Sequence, residues 1–135
     1  MKIIESFTED QIKEIHNLYK NEWWTKKRSF EDTKLCISGS QICIGVVDDN
    51  QILYGFARVL TDYIFKALIF DIIVSPDHRD KGIGKQLLLH IKNHPKLNKV
   101  KHFELYCLPE MFPFYENFGF SSDVGEIKLM RYTNV

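Results

Sequence analysis

Two glycines, Gly82 and Gly84, sit among three basic side chains, Arg79, Lys81 and Lys85, just ahead of the apolar pair Leu87-Leu88. A helix start presents unpaired N–H groups and about half a positive charge. Glycine lets the backbone close on a ligand that a Cβ would hold off. The stretch therefore has the chemistry of a cradle for a phosphate or pyrophosphate. The GxxxxGK[ST] pattern of a nucleotide-binding loop is absent, and Leu87 stands where a dinucleotide fingerprint needs a third glycine. Taken alone, Gly-x-Gly reads equally well as a tight strand-to-helix turn with a solvated basic rim. Upstream, Asp71 interrupts the most apolar run of the chain, KALIFDIIVS. A carboxylate there is costly unless it is paired, for example with Arg58, or functional. His90 and His94 stand four apart on an expected helix, a spacing that suits a metal. With no third ligand and no HExxH context, no metal site is expected.

The elements that must position these residues follow from periodicity. Residues 2–7 read as a short strand. Thr8-x-x-Gln11 is a capping box, and Ile12, Ile15, Leu18 and Tyr19 follow at helical spacing. That helix is expected to end near Asn21-Glu22, before Trp23-Trp24. Ser29 and Asp32 open a second helix, with Leu35 and Cys36 on its inner face and Gly39 as its stop. The β-rich runs 41–47 and 51–60 flank Asp48-Asp49-Asn50, a hairpin signal. Residues 66–75 predict a central strand. A helix follows from about Gly82, with Ile83, Leu87, Leu88 and Ile91 on one face, and ends at Asn93-His94 before Pro95. Residues 100–107 predict a strand, 109–118 a short helix opened by Pro109, and 126–132 a last, alternating strand. The order β-α-α-β-β-β-α-β-α-β implies an α/β (α+β) fold with a mixed, mostly antiparallel sheet flanked by helices.

Composition narrows the function classes. A chain of 135 residues with no repeat and no low-complexity linker reads as one domain over 1–135. Eighteen basic and eighteen acidic residues cancel, so no global field favours nucleic acid or an acidic membrane surface. Cys36, Cys43 and Cys107 are odd in number and lack CxxC spacing, which argues for free thiols in a reducing cytoplasm over a disulfide framework or a zinc site. MKIIESFTED has no long apolar run and does not read as a signal peptide. No stretch approaches the ~20 apolar residues of a membrane span.

Two motifs in register are more specific than either alone. Ile72-Ile73-Val74, Ser75-Pro76, Arg79-x-x-Gly82-x-Gly84 and Leu87-Leu88 resemble the acetyl-CoA motif of GNAT-type N-acetyltransferases. Downstream, Phe114-Tyr115-Glu116-x-x-Gly119-Phe120 resembles that family's Phe-Tyr-x-x-x-Gly-Phe ending. Separation and element order match as well, so the resemblance covers essentially the whole chain and implies a GNAT-like acyl-CoA N-acyltransferase fold. It implies acetyl-CoA as acyl donor and a small-molecule or peptide amine as acceptor. The main chain of Ile72, Ile73 and Val74 is expected to pair with the pantetheine arm. Residues Arg79, Asp80, Lys81, Gly82, Ile83, Gly84 and Lys85 are expected to wrap the pyrophosphate. Two positions depart from the pattern. Asp80 stands where the family often has glycine and is expected to face solvent. Leu108 replaces an asparagine that often touches the cofactor.

The chemistry implied is direct attack of an amine on the thioester through a tetrahedral intermediate. The amine must be neutral, and taking a lysine-like amine of pKa ~10.4 to that form at pH 7 costs roughly 4–5 kcal/mol. The leaving thiolate needs a proton. Tyr115 fits that role, because a phenol of pKa ~10 is protonated at neutral pH. Asp71 is the favoured base or acceptor-amine anchor, with Glu104 and water as rivals. Trp23, Trp24 and Arg58 are expected on the acceptor side, with one tryptophan in the core and the other shaping a pocket. A homodimer is common among similar proteins, although no interface signal stands in this sequence. The competing reading is a non-catalytic acyl-CoA-binding sensor or interaction module.

Overall fold

In a computed structural model, described over residues 1–134, the first two helices begin where local side chains cap them. The elements are β1 (Lys2–Ile4), α1 (Glu9–Lys20), α2 (Phe30–Ser38), β2 (Ile42–Val47), β3 (Leu53–Thr61), β4 (Lys66–Val74), α3 (Ile83–Lys92), β5 (His102–Leu105) and α4 (Phe112–Glu116). At α1 the Thr8 hydroxyl accepts from the Gln11 N–H while the Gln11 side chain accepts from the Thr8 N–H, the complete capping box. At α2 the Ser29 hydroxyl accepts from the Asp32 N–H. Gly39 closes that helix in ordinary right-handed geometry.

The chain divides into two compact units, Met1–Leu105 and a second from Tyr106 onward. The first holds a five-stranded sheet in sequence order, β1-β2-β3-β4-β5. Its first four strands are antiparallel, and β5 joins β4 in parallel after the α3 crossover. Strand β2 is buried throughout because both faces of the sheet are covered. On one face, Ile15, Leu18 and Tyr19 of α1 pack with Cys43, Val47, Leu53, Phe56 and Ile73. On the other, α3 buries Ile83, Leu87, Leu88 and Ile91, the expected face. Gly55 of β3 lets α3 come close: a Cβ there would lie 3.0 Å from the Ile83 side chain.

Two expectations are corrected. Leu35 does not face inward. It is 68% exposed, and α2 turns Thr33 to the interior instead. The alternating segment 126–132 forms no strand among the described residues; it is unpaired, and Ile127, Leu129, Met130 and Tyr132 are exposed. Alternation makes a segment fit for a sheet, but pairing needs an edge to dock on. In the second unit, a 3-10 turn at Pro109–Met111 leads into α4, so the expected helix is shorter and starts tighter.

Candidate active site

The middle strand of the expected cofactor motif is irregular where chemistry would need it. Phe56 pairs with Ile73 and Arg58 with Phe70, so Ala57 faces both Asp71 and Ile72. That extra residue is a β-bulge, and Asp71 takes it up with a left-handed φ of 57°. The β4–β5 ladder runs only from Lys66–His102 to Ile69–Leu105. From Phe70 to Val74, β4 has a ladder partner on the β3 side alone. Among the described residues of this unit, Ile72, Ile73 and Val74 thus have no strand partner on the edge away from β3.

Asp71 is gripped. Its Oδ2 accepts from Arg28 Nη1 at 2.6 Å, from Arg58 Nε at 2.7 Å and from the Tyr19 hydroxyl at 2.9 Å. The carboxylate is 4% exposed. Burial pushes its carboxyl up, but the hydrogen bonds and charges of Arg28 and Arg58 outweigh that and hold it below the usual value. A general base near neutral pH needs the opposite shift. The expected base role therefore meets a carboxylate already committed to two cations. Arg58, expected on the acceptor side, is committed in turn. It lies 14% exposed, bonds Asp71, reaches the Ser40 hydroxyl at 3.4 Å and stacks over Phe70. Arg28 stacks over the Tyr19 ring, 4.6 Å from its centre. Burial, with the Asp71 charge next in weight, pushes the Tyr19 phenol far up. Glu104 of β5, the rival base, accepts from Lys66 at the start of β4 at 2.9 Å in an exposed pair.

Past β4, a 3-10 turn at Pro76–His78 leads to Arg79. The Arg79 head does not stand open for phosphate: its Nε donates to the Val74 carbonyl and its Nη2 to Glu22, at 3.1 and 2.5 Å. Asp80 is exposed, as expected, and its φ of 63° explains the family's glycine at this place. The turn needs a left-handed residue, a conformation that Asp tolerates better than most. Gly82 is left-handed too, with φ 77°, and it opens α3 without any side-chain cap. Thr8 and Ser29 cap α1 and α2, whereas α3 starts with no side-chain cap, among exposed Lys81 and Lys85 and half-buried Gly84. An anion would satisfy the main-chain donors of such a start.

Trp23 and Trp24 follow α1, packed edge-to-face at 5.8 Å. The expectation that one of them lies in the core is corrected, since they are 68% and 47% exposed. Thr25, 1% exposed, takes the buried place and donates to the Tyr19 carbonyl. In the second unit, Tyr115 packs edge-on against Phe114 and Phe120. Burial, with Cys107 close by, pushes its phenol up to about 12. Leu108 is half exposed and precedes the turn that leads to α4.

His90 and His94 gain a third ligand-type group from Glu5, which the sequence reading lacked. His94 Nε2 bonds Glu5 at 2.8 Å, and His90 Nε2 bonds it at 3.3 Å. His94 Nδ1 accepts the Lys96 N–H at 3.1 Å, so this network puts the proton of neutral His94 on Nε2. Metal ligation by Nε2 would move that proton to Nδ1, where it would face another donor. The trio is complete as a strap from the end of β1 to α3.

The residues that sequence reasoning missed are Arg28, Tyr19 and Glu22, the partners of Asp71 and Arg79. Tyr19 carried only a helical-face signal, and nothing in the chain marks which charges will meet across long separations.

Comparison with known proteins bears on the whole arrangement. The family model described as Acetyltransferase (GNAT) domain matches residues 39–122. An uncharacterized N-acetyltransferase, ycf52, of Pyropia yezoensis is 29% identical over 120 residues, which is 87% of this chain and 68% of that protein. A crystal structure described as a GNAT-family acetyltransferase from Xanthomonas campestris superposes with a TM-score of 0.83 at 26% identity, over 98% of this chain and 94% of that one. An aminoglycoside 6'-N-acetyltransferase complexed with coenzyme A shares the fold at 17% identity and a TM-score of 0.65, over 78% and 61% of the two chains.

Proposed function

Because this chain belongs to the GNAT acetyltransferase family, we propose that residues 1–135 act as one domain that moves an acetyl group from acetyl-CoA to a primary amine of a small molecule or peptide. The observation that carries the reading is a run of consecutive features in the first unit. A bulge at Asp71 is followed by the open-edged strand Ile72–Val74, by left-handed turns at Asp80 and Gly82, and by a helix start with no side-chain cap. Each feature suits one part of the donor. An open strand edge can pair with the amide groups of a pantetheine arm as an added strand does. An uncapped helix start can take a pyrophosphate through main-chain N–H groups. Lys81 and Lys85 add charge that solvent screens, while Arg79 contributes by fixing the Val74 carbonyl.

When bound, acetyl-CoA would supply an activated thioester, whose acetyl group passes to the amine as the coenzyme A thiol leaves. Tyr115 serves as general acid to the departing sulfur. Its raised pKa keeps the proton in place at neutral pH. The proton lost by the amine passes to solvent water, because Asp71 is already ion-paired. The exposed tryptophan pair offers aromatic faces to an amine on the acceptor side. The test is titration of the full chain with acetyl-CoA, alongside Tyr115→Phe. Saturable binding retained in the variant, with turnover lost, supports the reading. Wild-type protein that binds no acetyl-CoA overturns it.

A further inference from the structure

We propose that Asp71 is a positioning residue for the donor: its carboxylate, gripped by Arg58, Arg28 and the Tyr19 hydroxyl, holds the β4 bulge and so keeps Ile72–Val74 as an open-edged strand. The proposal rests on the acetyltransferase reading for its consequence, and on geometry for its premise.

A left-handed φ is costly in a residue with a Cβ, and inside a partly buried stretch of strand surrounding contacts must hold it. At Asp71 those contacts converge on one oxygen from three directions: β3 through Arg58, α1 through Tyr19, and the residue before the α2 cap through Arg28. None of these partners is itself on β4, so the carboxylate ties the extra residue to the elements that pack over it. The far end of the open segment is tied as well. Arg79 donates to the Val74 carbonyl and pairs with Glu22, which follows α1. Glu22 and Arg28 bracket the loop that carries Trp23 and Trp24, and their partners Arg79 and Asp71 bracket Ile72–Val74. The segment expected to meet the donor is thus held at both ends by one loop. The charges facing Asp71 are two guanidiniums, with the Cys36 thiol 4.0 Å from the Tyr19 hydroxyl. A carboxylate in that company holds backbone in place and does not take up a substrate proton.

The experiment compares wild-type protein with Asp71→Gly, Asp71→Asn and Tyr19→Phe. Acetyl-CoA affinity is read by calorimetry, amide hydrogen exchange of 72–74 in the free protein, and the pH profile of kcat with a competent acceptor. Glycine keeps the left-handed φ and removes the anchor, so Kd should rise about tenfold and exchange at 72–74 should quicken. Asparagine tolerates the φ and still accepts hydrogen bonds, so it should recover part of the loss. Tyr19→Phe leaves the charges in place and should fold in any case, with Kd rising about twofold. The pH profile should keep its shape throughout. Kd and exchange unchanged in Asp71→Gly, or in Tyr19→Phe if the glycine variant does not fold, would overturn the proposal. So would a fall in kcat at constant Kd with the ascending pH limb removed, which is the signature of a base. Wild-type protein that fails to bind acetyl-CoA would remove the acetyltransferase reading alone, because exchange at 72–74 still decides whether Asp71 holds the bulge.

Discussion

At the scale of single residues, protonation states divide the labour. Tyr115 holds its proton because burial, with Cys107 beside it, pushes the phenol up to about 12. An acid of that kind stays loaded across the neutral range, so a rate that depends on it should show no loss below about pH 10. Tyr115→Phe should lower kcat about a hundredfold and leave acetyl-CoA affinity unchanged, as steady-state kinetics and calorimetry would show. Asp71 has the opposite character. Its carboxyl is held low in the folded chain, so the ionised form stabilises the fold above the ordinary carboxylate value, and that contribution is lost as pH falls through the folded value. Asp71→Asn should therefore cost about 3 kcal/mol at pH 7, and the gap should narrow at about pH 3. Urea unfolding at the two pH values measures both numbers, and a gap independent of pH would contradict the ion-pair account. Gly82 has φ 77° and nothing within 4 Å of an added Cβ. Gly82→Ala should thus cost only the left-handed conformation, about 1 kcal/mol in thermal or chemical unfolding.

At the scale of elements, what was legible in the sequence is what is local. The Thr8–Gln11 and Ser29–Asp32 caps join residues three apart, and α3 shows its buried face through Ile83, Leu87, Leu88 and Ile91. Thr8→Ala should cost about 1 kcal/mol by equilibrium unfolding, because the N-cap hydroxyl satisfies a donor that otherwise has no partner in α1. Where elements depend on partners far along the chain, the pattern was silent. The Asp71 bonds reach 13, 43 and 52 residues away, to Arg58, Arg28 and Tyr19. Sequence reading could therefore mark a costly carboxylate and name Arg58 as a candidate partner, yet not see that three donors meet there. In α2, only nine residues long, the apolar positions do not define one face, and burial of Thr33 decided which side turned in. The segment 126–132 alternates like a strand, but periodicity specifies faces and not a docking edge.

At the scale of the whole chain, zero net charge means that an anionic donor must be held by local groups, not drawn in by a general field. Lys81→Ala and Lys85→Ala should each weaken acetyl-CoA binding a few-fold, about 0.5 kcal/mol, and the difference should fade in high salt. Main-chain N–H donors at the start of α3 should keep most of the affinity there. Among the described residues no helix is long and apolar enough to cross a membrane. The family match spans residues 39–122 and takes in both the glycine turn and Tyr115. The acceptor is where this chain must be questioned directly, since its exposed tryptophan pair belongs to a loop outside that match. The most direct test is release of coenzyme A thiol from acetyl-CoA by the full chain across a panel of amines, polyamines, amino sugars and peptides. The account predicts release that scales with enzyme and requires one class of acceptor. Firm acetyl-CoA binding with no release above background for any acceptor would contradict it and leave a cofactor sensor in its place.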